Sequence, residues 1–248
     1  MVPPMSSDGS ETGTQRWRRV YLVRHGETLY GGELEGALPG SDLTERGCQQ
    51  IERLAELLAG IEIDAVYSSP LGRAQATART LARHGGLAVV TVEDLREIVP
   101  GDVAGRELAE IFAAVREFFA SEGTGWDTKY VGGETYRELR NRVWPFFEEL
   151  MRRTDWRRVV VVAHGGVNNA LIGQMIGAAG PRLANIEQDF GCVNIIDFLD
   201  QRPVLRLLNF TAYDPLKASL EASSLDILKS VLETGFGVSL GGRPGANA

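Results

Sequence analysis

The sequence is poor in the features that assign a chain to a membrane or to an oxidising compartment. None of its apolar runs approaches the ~20 residues that cross a bilayer, and residues 1–15 lack the apolar core of a secretory signal. Cysteine occurs only twice, at Cys48 and Cys192, which is too few for a disulfide framework or a cysteine-rich metal site. We therefore expect a cytoplasmic protein with two ordinary thiols and no membrane partner.

Positive charge and histidine are also scarce. The 26 basic residues are outnumbered by 33 acidic ones, so the net charge of −7 repels polyphosphate backbones and argues against a nucleic-acid partner. Histidine occurs three times, at His25, His84 and His164, and no Asp/His constellation of the two-metal kind is visible. We expect neither a metal site nor a cofactor.

The pattern along the chain predicts a single folded domain with an extension at each end. Residues 1–16 are polar and unpatterned, which is typical of a disordered tail. Residues 17–213 alternate short apolar runs with helical patterns, and the runs at 20–23 and 159–163 lack polar alternation, as central parallel strands do. This alternation predicts an α/β domain: a three-layer α/β/α sandwich with a mostly parallel central sheet.

The individual elements follow from periodicity, capping residues and glycine or proline punctuation. Thr44 is predicted to cap the first helix, and Ser69 to cap the second with Pro70 at its first position. The predicted strands are 20–23, 63–68, 87–92, 159–163, 192–198 and 204–209, and the predicted helices are 43–58, 70–84, 106–120, 134–153 and 167–178.

Residues 214–248 are predicted to form a C-terminal helix followed by a mobile tail. Five leucines recur there at helical spacing, namely Leu216, Leu220, Leu225, Leu228 and Leu232. Such a stripe packs on its own domain in most proteins, and a homodimer contact is the alternative interpretation.

Reactive polar groups follow three of the predicted strands. Arg24 and His25 follow the run at 20–23, Arg73 comes just after 63–68, and His164 follows 159–163. Ligands of such sheets bind beyond the carboxyl ends of the strands, so these residues form a candidate site. The tripeptide Arg83-His84-Gly85 repeats Arg24-His25-Gly26, but it falls at a helix end, where basic residues and glycine are expected for structural reasons. Position in the fold, and not the tripeptide, is therefore what marks His25.

Six ordered blocks between residues 20 and 166 resemble the histidine phosphatase superfamily, the phosphoglycerate mutase-like proteins. The first is Leu22-Val23-Arg24-His25-Gly26-Glu27-Thr28, which resembles the signature of that superfamily. The others are Leu43-Thr44-Glu45-Arg46-Gly47, Ser68-Ser69-Pro70-Leu71-Gly72-Arg73-Ala74, Leu95-Arg96-Glu97, Gly133-Glu134-Thr135 and Val162-Ala163-His164-Gly165-Gly166.

The resemblance implies covalent phosphoryl transfer through His25. In that superfamily the equivalent histidine attacks phosphorus and becomes a phosphohistidine, and a backbone carbonyl is expected to hold its second ring nitrogen. Arg24 and Arg73 suit the phosphate oxygens because guanidinium is permanently charged and bidentate. His164, when protonated beside the dianion, would stabilise the transition state.

Three further residues receive roles from the same resemblance. Glu97 is expected to protonate the leaving alkoxide and then to activate water, with Glu27 as its rival. Thr28 and Gly165 are expected to contribute to phosphate binding, and for Thr28 a turn or cap role is the alternative.

The departures from the superfamily favour a hydrolase. Gly31 stands where many members carry Asn, and the run 98–105 after Glu97 is smaller and more apolar than in many phosphatases. The chain lacks the Arg, Tyr and Gly after this glutamate, and the basic insertion, that mark cofactor-dependent mutases. We expect a phosphatase acting on a small phosphorylated metabolite; the alternatives are a phosphoglycerate mutase-type transferase and a non-catalytic phosphate-binding module.

Overall fold

The computed structural model describes residues 17–28, 42–103, 106–120, 126–177, 186–199 and 202–220. Within these ranges one six-stranded sheet has the order β3-β2-β4-β1-β5-β6. Its strands are β1 (Arg18–Arg24), β2 (Ala65–Ser68), β3 (Val89–Thr91), β4 (Arg158–Ala163), β5 (Val193–Leu199) and β6 (Arg202–Phe210).

The four strands β3, β2, β4 and β1 are mutually parallel, whereas β5 runs antiparallel to β1 and β6 antiparallel to β5. The predicted mostly parallel sheet is therefore confirmed. The centre of the sheet is fully buried, since Val20 and Leu22 of β1 and Val159 and Val161 of β4 have no exposed surface. In the β1–β4 register Arg24 lies opposite Ala163, so the residues that follow the two strands emerge side by side.

Helices cover both faces of the sheet, because alternate side chains of each strand point to opposite faces. Tyr21 and Val23 pack with the helices α1 and α2, whereas Val20 and Leu22 pack with α4 and α5. The predicted three-layer sandwich is confirmed. The helices are α1 (Glu45–Leu58), α2 (Gly72–Ala82), α3 (Leu108–Ala120), α4 (Tyr136–Arg152) and α5 (Gly165–Met175).

The start of α1 agrees with the predicted cap, but the start of α2 does not. Thr44 caps α1 by accepting a hydrogen bond from the Gly47 amide at 2.9 Å. Helix α2 begins at Gly72, two residues after the predicted start at Pro70. Leu71 is the residue at the helix start, and Ser69 lies two residues before it; the Ser69 hydroxyl accepts from the Leu71 amide at 3.3 Å and contacts His164 Nε2 at 2.7 Å, which ties the chain before α2 to the end of β4.

The structure describes only part of the two predicted extensions. Residues 211–220 form turns that follow β6, and the Leu216 side chain is 90% exposed. Residues 1–16, Gly31 and residues 221–248, with most of the leucine stripe, lie outside the described residues. None of the described helices combines the length and the apolar character needed to cross a membrane.

Candidate active site

The carboxyl ends of β1 and β4 bring two buried histidines together. The His25 amide donates to the Ala163 carbonyl at 3.2 Å, which keeps the chain after β1 in register with the end of β4. The imidazole centroids of His25 and His164 are 5.1 Å apart, and the two residues are 2% and 0% exposed. The two histidines that the sequence placed at strand ends therefore share one site.

The His25 ring is held at both nitrogens. Its Nδ1 lies 2.8 Å from the Gly26 carbonyl oxygen, which can only accept, so Nδ1 carries the proton. Its Nε2 then has the lone pair and accepts a hydrogen bond from Arg73 Nε at 3.2 Å. The expected backbone carbonyl is present, and the geometry points to Nε2 as the nucleophilic atom.

Burial is the first cause that lowers the pKa of His25 well below 6.5, and the charges of Arg73 and Arg24 lower it further. The hydrogen bond to Gly26 opposes this shift without reversing it. The imidazole is consequently neutral at pH 7, and the Nε2 lone pair is available for attack.

His164 is oriented by Ser69. The His164 Nε2 lies 2.7 Å from Ser69 Oγ, and both residues are fully buried. Ser69 Oγ accepts from the Leu71 amide, and among the described residues His164 Nε2 is the one acceptor for the serine proton, so the arrangement favours donation to Nε2 with the imidazole proton on Nδ1. That Nδ1 is buried and has no hydrogen-bond partner among the described residues, so it can donate to a ligand oxygen.

The pKa of His164 is also lowered well below 6.5, first by burial and then by His25, Arg73 and Arg24. His164 is therefore neutral, whereas the sequence interpretation gave it a protonated form beside a dianion. With the proton on Nδ1, a neutral His164 still provides one hydrogen bond to phosphate. A bound dianion would favour protonation, because an opposite charge nearby raises a histidine pKa.

Two buried arginines make the site attractive to anions. Arg24 and Arg73 are each 6% exposed, and Arg73 lies in the first turn of α2. The Arg24 guanidinium carbon lies 4.0 Å from the centroid of the Phe190 ring, and Nη1 donates to the Gln188 carbonyl. Two guanidinium groups beside two neutral imidazoles suit a phosphate dianion, whose oxygens accept charge-assisted hydrogen bonds.

Helix α5 contributes its N-terminus to the same site. Gly165 is its first residue, and the first N–H groups of a helix have no partner within the helix, so they suit an anion. A methyl group at Gly165 would lie 3.6 Å from the Arg24 guanidinium carbon, so the helix start and this arginine are adjacent. Phosphate binding by Gly165 stays a prediction.

Glu97 reaches the first turn of α5 from the segment that follows β3. Its Oε2 accepts from the Gly166 amide at 3.2 Å, and its Oε1 accepts from the Ile98 amide at 2.8 Å. This approach requires glycine at position 166, because a methyl group there would lie 2.5 Å from Glu97 Oε1. The structure thus places the carboxylate of the predicted acid–base residue on the amide of Gly166, two residues after His164 in the chain.

Glu27 and Thr28, which follow the nucleophile closely in the chain, make contacts outside the group of histidines and arginines. Glu27 accepts from the Thr44 hydroxyl at 2.9 Å and lies 3.8 Å from Arg46, so it fastens the chain after β1 to α1. The Thr28 hydroxyl donates to the Asp42 carbonyl at 2.7 Å, a bond between segments 14 residues apart that is neither a local turn nor a helix cap. Phosphate binding by Thr28 stays a prediction.

Sequence reasoning missed the buried amides that support Arg24. The Gln188 side-chain oxygen accepts from Asn194 at 2.8 Å and from Asn168 at 3.1 Å. These bonds fix the segment whose carbonyl accepts from Arg24. The only signal for this network was Asn194 itself, a polar residue within the apolar run of β5; Gln188 carried none. Ser69 and Gly166 stand in the blocks that resemble the superfamily, but sequence reasoning assigned neither of them the contact that the structure shows.

Two buried histidines and two buried arginines thus lie together at the carboxyl ends of parallel strands, an arrangement suited to a phosphate dianion. The residue range 20–211 matches the family model of the histidine phosphatase superfamily, branch 1. The chain therefore belongs to the histidine phosphatase superfamily, as its ordered motifs predict, and it is a phosphatase of that superfamily.

Several characterised proteins resemble the chain over most of its length. It is 31% identical over 198 residues to the adenosylcobalamin/alpha-ribazole phosphatase of Escherichia coli K12, covering 78% of this chain and 97% of that protein. It is 34% identical over 196 residues to a metal-independent phosphoserine phosphatase of Arabidopsis thaliana, covering 75% and 79%. The crystal structure of the alpha-ribazole phosphatase from Shigella flexneri superposes with a TM-score of 0.63 at 30% identity, covering 77% and 96%.

Proposed function

We propose that the protein hydrolyses the phosphate monoester of a small metabolite without a metal ion, through a phosphohistidine on His25. The observation that carries this proposal is the fixed tautomer of His25. Its Nδ1 is tied to the Gly26 carbonyl, and its Nε2 lone pair lies 3.2 Å from Arg73 Nε, a donor suited to a phosphoryl oxygen.

In the first half-reaction, Nε2 of His25 attacks phosphorus while the bond from phosphorus to the ester oxygen breaks. Arg24, Arg73 and the Nδ1 proton of His164 stabilise the charge on the three equatorial oxygens. Glu97 enters as the acid and gives its proton to the departing alkoxide. The products are an alcohol and an Nε2-phosphohistidine.

In the second half-reaction, the Glu97 carboxylate takes a proton from water, and the oxygen attacks phosphorus as the P–N bond breaks. This step returns His25 to its starting form, regenerates protonated Glu97 and releases inorganic phosphate. One carboxyl group suffices for both halves because the proton it gives in the first is recovered in the second. Gly166 leaves the space that lets this carboxyl group approach the helix N-terminus.

A small metabolite as substrate is supported by the relatives described above, whose names specify two different low-molecular-weight phosphate esters. Metal independence is supported by the two arginines and two histidines, because they can stabilise the charge of the phosphoryl group, which a metal ion would otherwise stabilise. Among the described residues, no group of three or more His, Cys, Asp or Glu side chains could hold a metal ion.

We also propose a cytoplasmic location and a homodimer contact through the C-terminal stripe. Cys48 and Cys192 are both free thiols, which suits a reducing compartment. Leu216, the first leucine of the stripe, is 90% exposed, which suits contact with a second copy. Light scattering on wild type and on Leu216→Ser tests the dimer, and an unchanged mass would contradict it.

The covalent intermediate is the direct test of the proposed function. Wild type quenched during turnover of a labelled substrate should carry acid-labile, alkali-stable phosphate, and His25→Ala should carry none and lose nearly all activity. His84→Ala is the matched control, because His84 stands in the same tripeptide but is exposed. A His25→Ala enzyme that keeps a substantial fraction of the wild-type rate would refute the mechanism. Transfer of the label to a second substrate molecule, in place of free phosphate, would indicate a mutase.

A further inference from the structure

The segment that carries Glu97 has little regular structure of its own. A short 3-10 turn ends at Leu95, and residues 96–103 belong to no helix or strand. The Glu97 side chain is held by amides, but the backbone beneath it needs external contacts to stay in one conformation. An acid–base residue must be positioned within a fraction of an ångström, so these contacts matter for the reaction.

Arg142 of α4 supplies them. Its Nη1 donates to the carbonyls of Asp94 and Arg96 at 2.7 and 2.8 Å. Its Nη2 donates to the Glu97 carbonyl at 3.3 Å. One guanidinium group thus binds three backbone carbonyls within residues 94–97. The last of these carbonyls belongs to Glu97, the acid–base residue.

Glu134 completes the arrangement. Its carboxylate accepts from Arg142 at both oxygens, with Nε–Oε1 at 2.9 Å and Nη2–Oε2 at 2.7 Å. These two bonds and the three to carbonyls engage all five N–H donors of the guanidinium. Glu134 also holds the chain beyond Glu97, because its Oε2 accepts from the Val99 amide at 3.0 Å and its amide donates to the Val99 carbonyl at 2.8 Å.

Helix α4 gives the Arg142–Glu134 ion pair a rigid support. Glu134 directly precedes Thr135, which caps α4 in a reciprocal capping box with Glu138. Arg142 lies two turns into that helix, near Leu139 and Val143, which are fully buried. The side chains of Arg142 and Glu134 are 23% and 14% exposed, so their ion pair is less screened by solvent than a surface pair.

We propose that Arg142, oriented by Glu134, is a positioning residue that holds Glu97 in place for proton transfer. This inference rests on the proposed function, because it assumes that Glu97 is the acid and base. Arg142 acts through the backbone of residues 94–97, because its five donors are all bound by those carbonyls and by Glu134. Its charge reaches the phosphate site only as the last and smallest of the causes that lower the pKa of His164. Its loss should therefore impair proton transfer and spare the attack on phosphorus.

The test compares two substrates that differ in their need for an acid. An alkyl phosphate needs its leaving oxygen protonated, whereas the p-nitrophenolate of p-nitrophenyl phosphate leaves without a proton. Arg142→Met should lower kcat/KM for the alkyl phosphate by about 10- to 100-fold and kcat/KM for p-nitrophenyl phosphate by much less. This ratio includes only the steps up to departure of the leaving group, so the later attack of water, which needs Glu97 with either substrate, does not enter it. Arg142→Lys should recover little of this loss, because an ammonium group cannot reproduce the planar fork.

Arg137→Met is the matched control. Arg137 lies on the same helix and forms a bidentate pair with Asp127 of similar geometry, with Nη2–Oδ2 at 2.8 Å, but this pair is on the surface. Its loss should change neither rate. Combining Arg142→Met with Glu97→Gln should add little to the effect of Glu97→Gln alone, because both substitutions remove the same proton transfer.

Equal losses on both substrates, or additive losses in the double variant, would overturn the inference and leave Arg142 a structural residue. Thermal melts of each variant show whether the fold persists, and Glu134→Gln provides a milder change should Arg142→Met not fold. Phosphohistidine trapping separates the two proposals: an absent intermediate in wild type refutes the proposed function itself. If the phosphohistidine forms in wild type but the loss of activity in the variants is the same for both leaving groups, only the proposed role of Arg142 is refuted.

Discussion

Replacing Gly166 with alanine would put a methyl group into the space that the Glu97 carboxylate occupies. The added carbon would lie 2.5 Å from Glu97 Oε1 and 3.3 Å from the carboxyl carbon. Ordinary contact between such atoms is about 3.5 Å, so the carboxylate must retreat by about 1 Å. The hydrogen bond from the Gly166 amide, already 3.2 Å long, would be lost or badly bent.

The expected cost appears in catalysis more than in folding. A displacement of about 1 Å at a reacting group can lower a rate by about 10²-fold. We therefore expect kcat/KM for an alkyl phosphate to fall by about that factor, and kcat/KM for p-nitrophenyl phosphate by less than about tenfold, because its leaving group needs no proton and this ratio excludes the later attack of water. Alanine also favours a helix over glycine by up to about 1 kcal/mol, which offsets part of the strain.

Steady-state kinetics with both substrates, together with thermal melts, measure this effect. Gly165→Ala is a control for the added helix propensity, because its methyl group would meet only the Arg24 side chain, at an ordinary 3.6 Å. Any change it causes should be the same for both substrates. If Gly166→Ala hydrolyses the alkyl phosphate at the wild-type rate, Glu97 does not donate the proton from the position described here. Asp102 would then be the next carboxyl group to test.

Three further outcomes are expected. Because the buried histidines have lowered pKa values, they stay neutral in the folded state while the unfolded chain protonates below pH 6.5, so stability is lost as pH falls. Between pH 7.5 and 5.5 the wild type should therefore lose up to about 1.4 kcal/mol more free energy of unfolding than His164→Ala does. Denaturant titrations at the two pH values measure both losses, and equal losses would show that His164 is not held neutral. Ser69→Ala should lower kcat about tenfold for both substrates, since His164 Nε2 loses its partner, whereas Ser69→Thr should restore much of it; equal rates in all three would exclude a role for the hydroxyl. Activity should survive exhaustive EDTA treatment and be inhibited by vanadate, a mimic of the transferring phosphoryl group; recovery with added magnesium or zinc would contradict metal independence.

The helix boundaries show where local reasoning was sufficient. Thr44 caps α1 as predicted because capping uses a hydroxyl and an amide three residues apart, both visible in the sequence. The Ser69-Pro70 pair is an equally good local signal, yet α2 begins at Gly72. The hydroxyl of Ser69 bonds His164, 95 residues away, and a local rule cannot anticipate this partner.

Glu97 illustrates the same division within the site. Nothing in its local sequence distinguishes it from a surface glutamate, and only the resemblance to a family assigned it a role. The structure adds a physical account: Gly166 leaves the space for the carboxylate, and Arg142 binds the backbone beneath it. Both contacts join segments more than 40 residues apart.

The sequence by itself determined the sheet, the helices and the two histidines at the ends of β1 and β4. The sheet and the helices follow from apolar periodicity, which is a local pattern of a few residues. The position of the histidines follows from a rule that holds for the whole fold class, namely that ligands bind at the carboxyl ends of parallel strands. Only the tertiary structure decided the tautomers of His25 and His164, the hydrogen bond from Arg24 to the Gln188 carbonyl, and the hydrogen bonds of Arg142 to the backbone at Glu97. Those features depend on hydrogen bonds between distant segments. A hydrogen bond requires its donor and acceptor atoms within about 3.5 Å, and for residues far apart in the sequence only tertiary packing brings the two atoms that close.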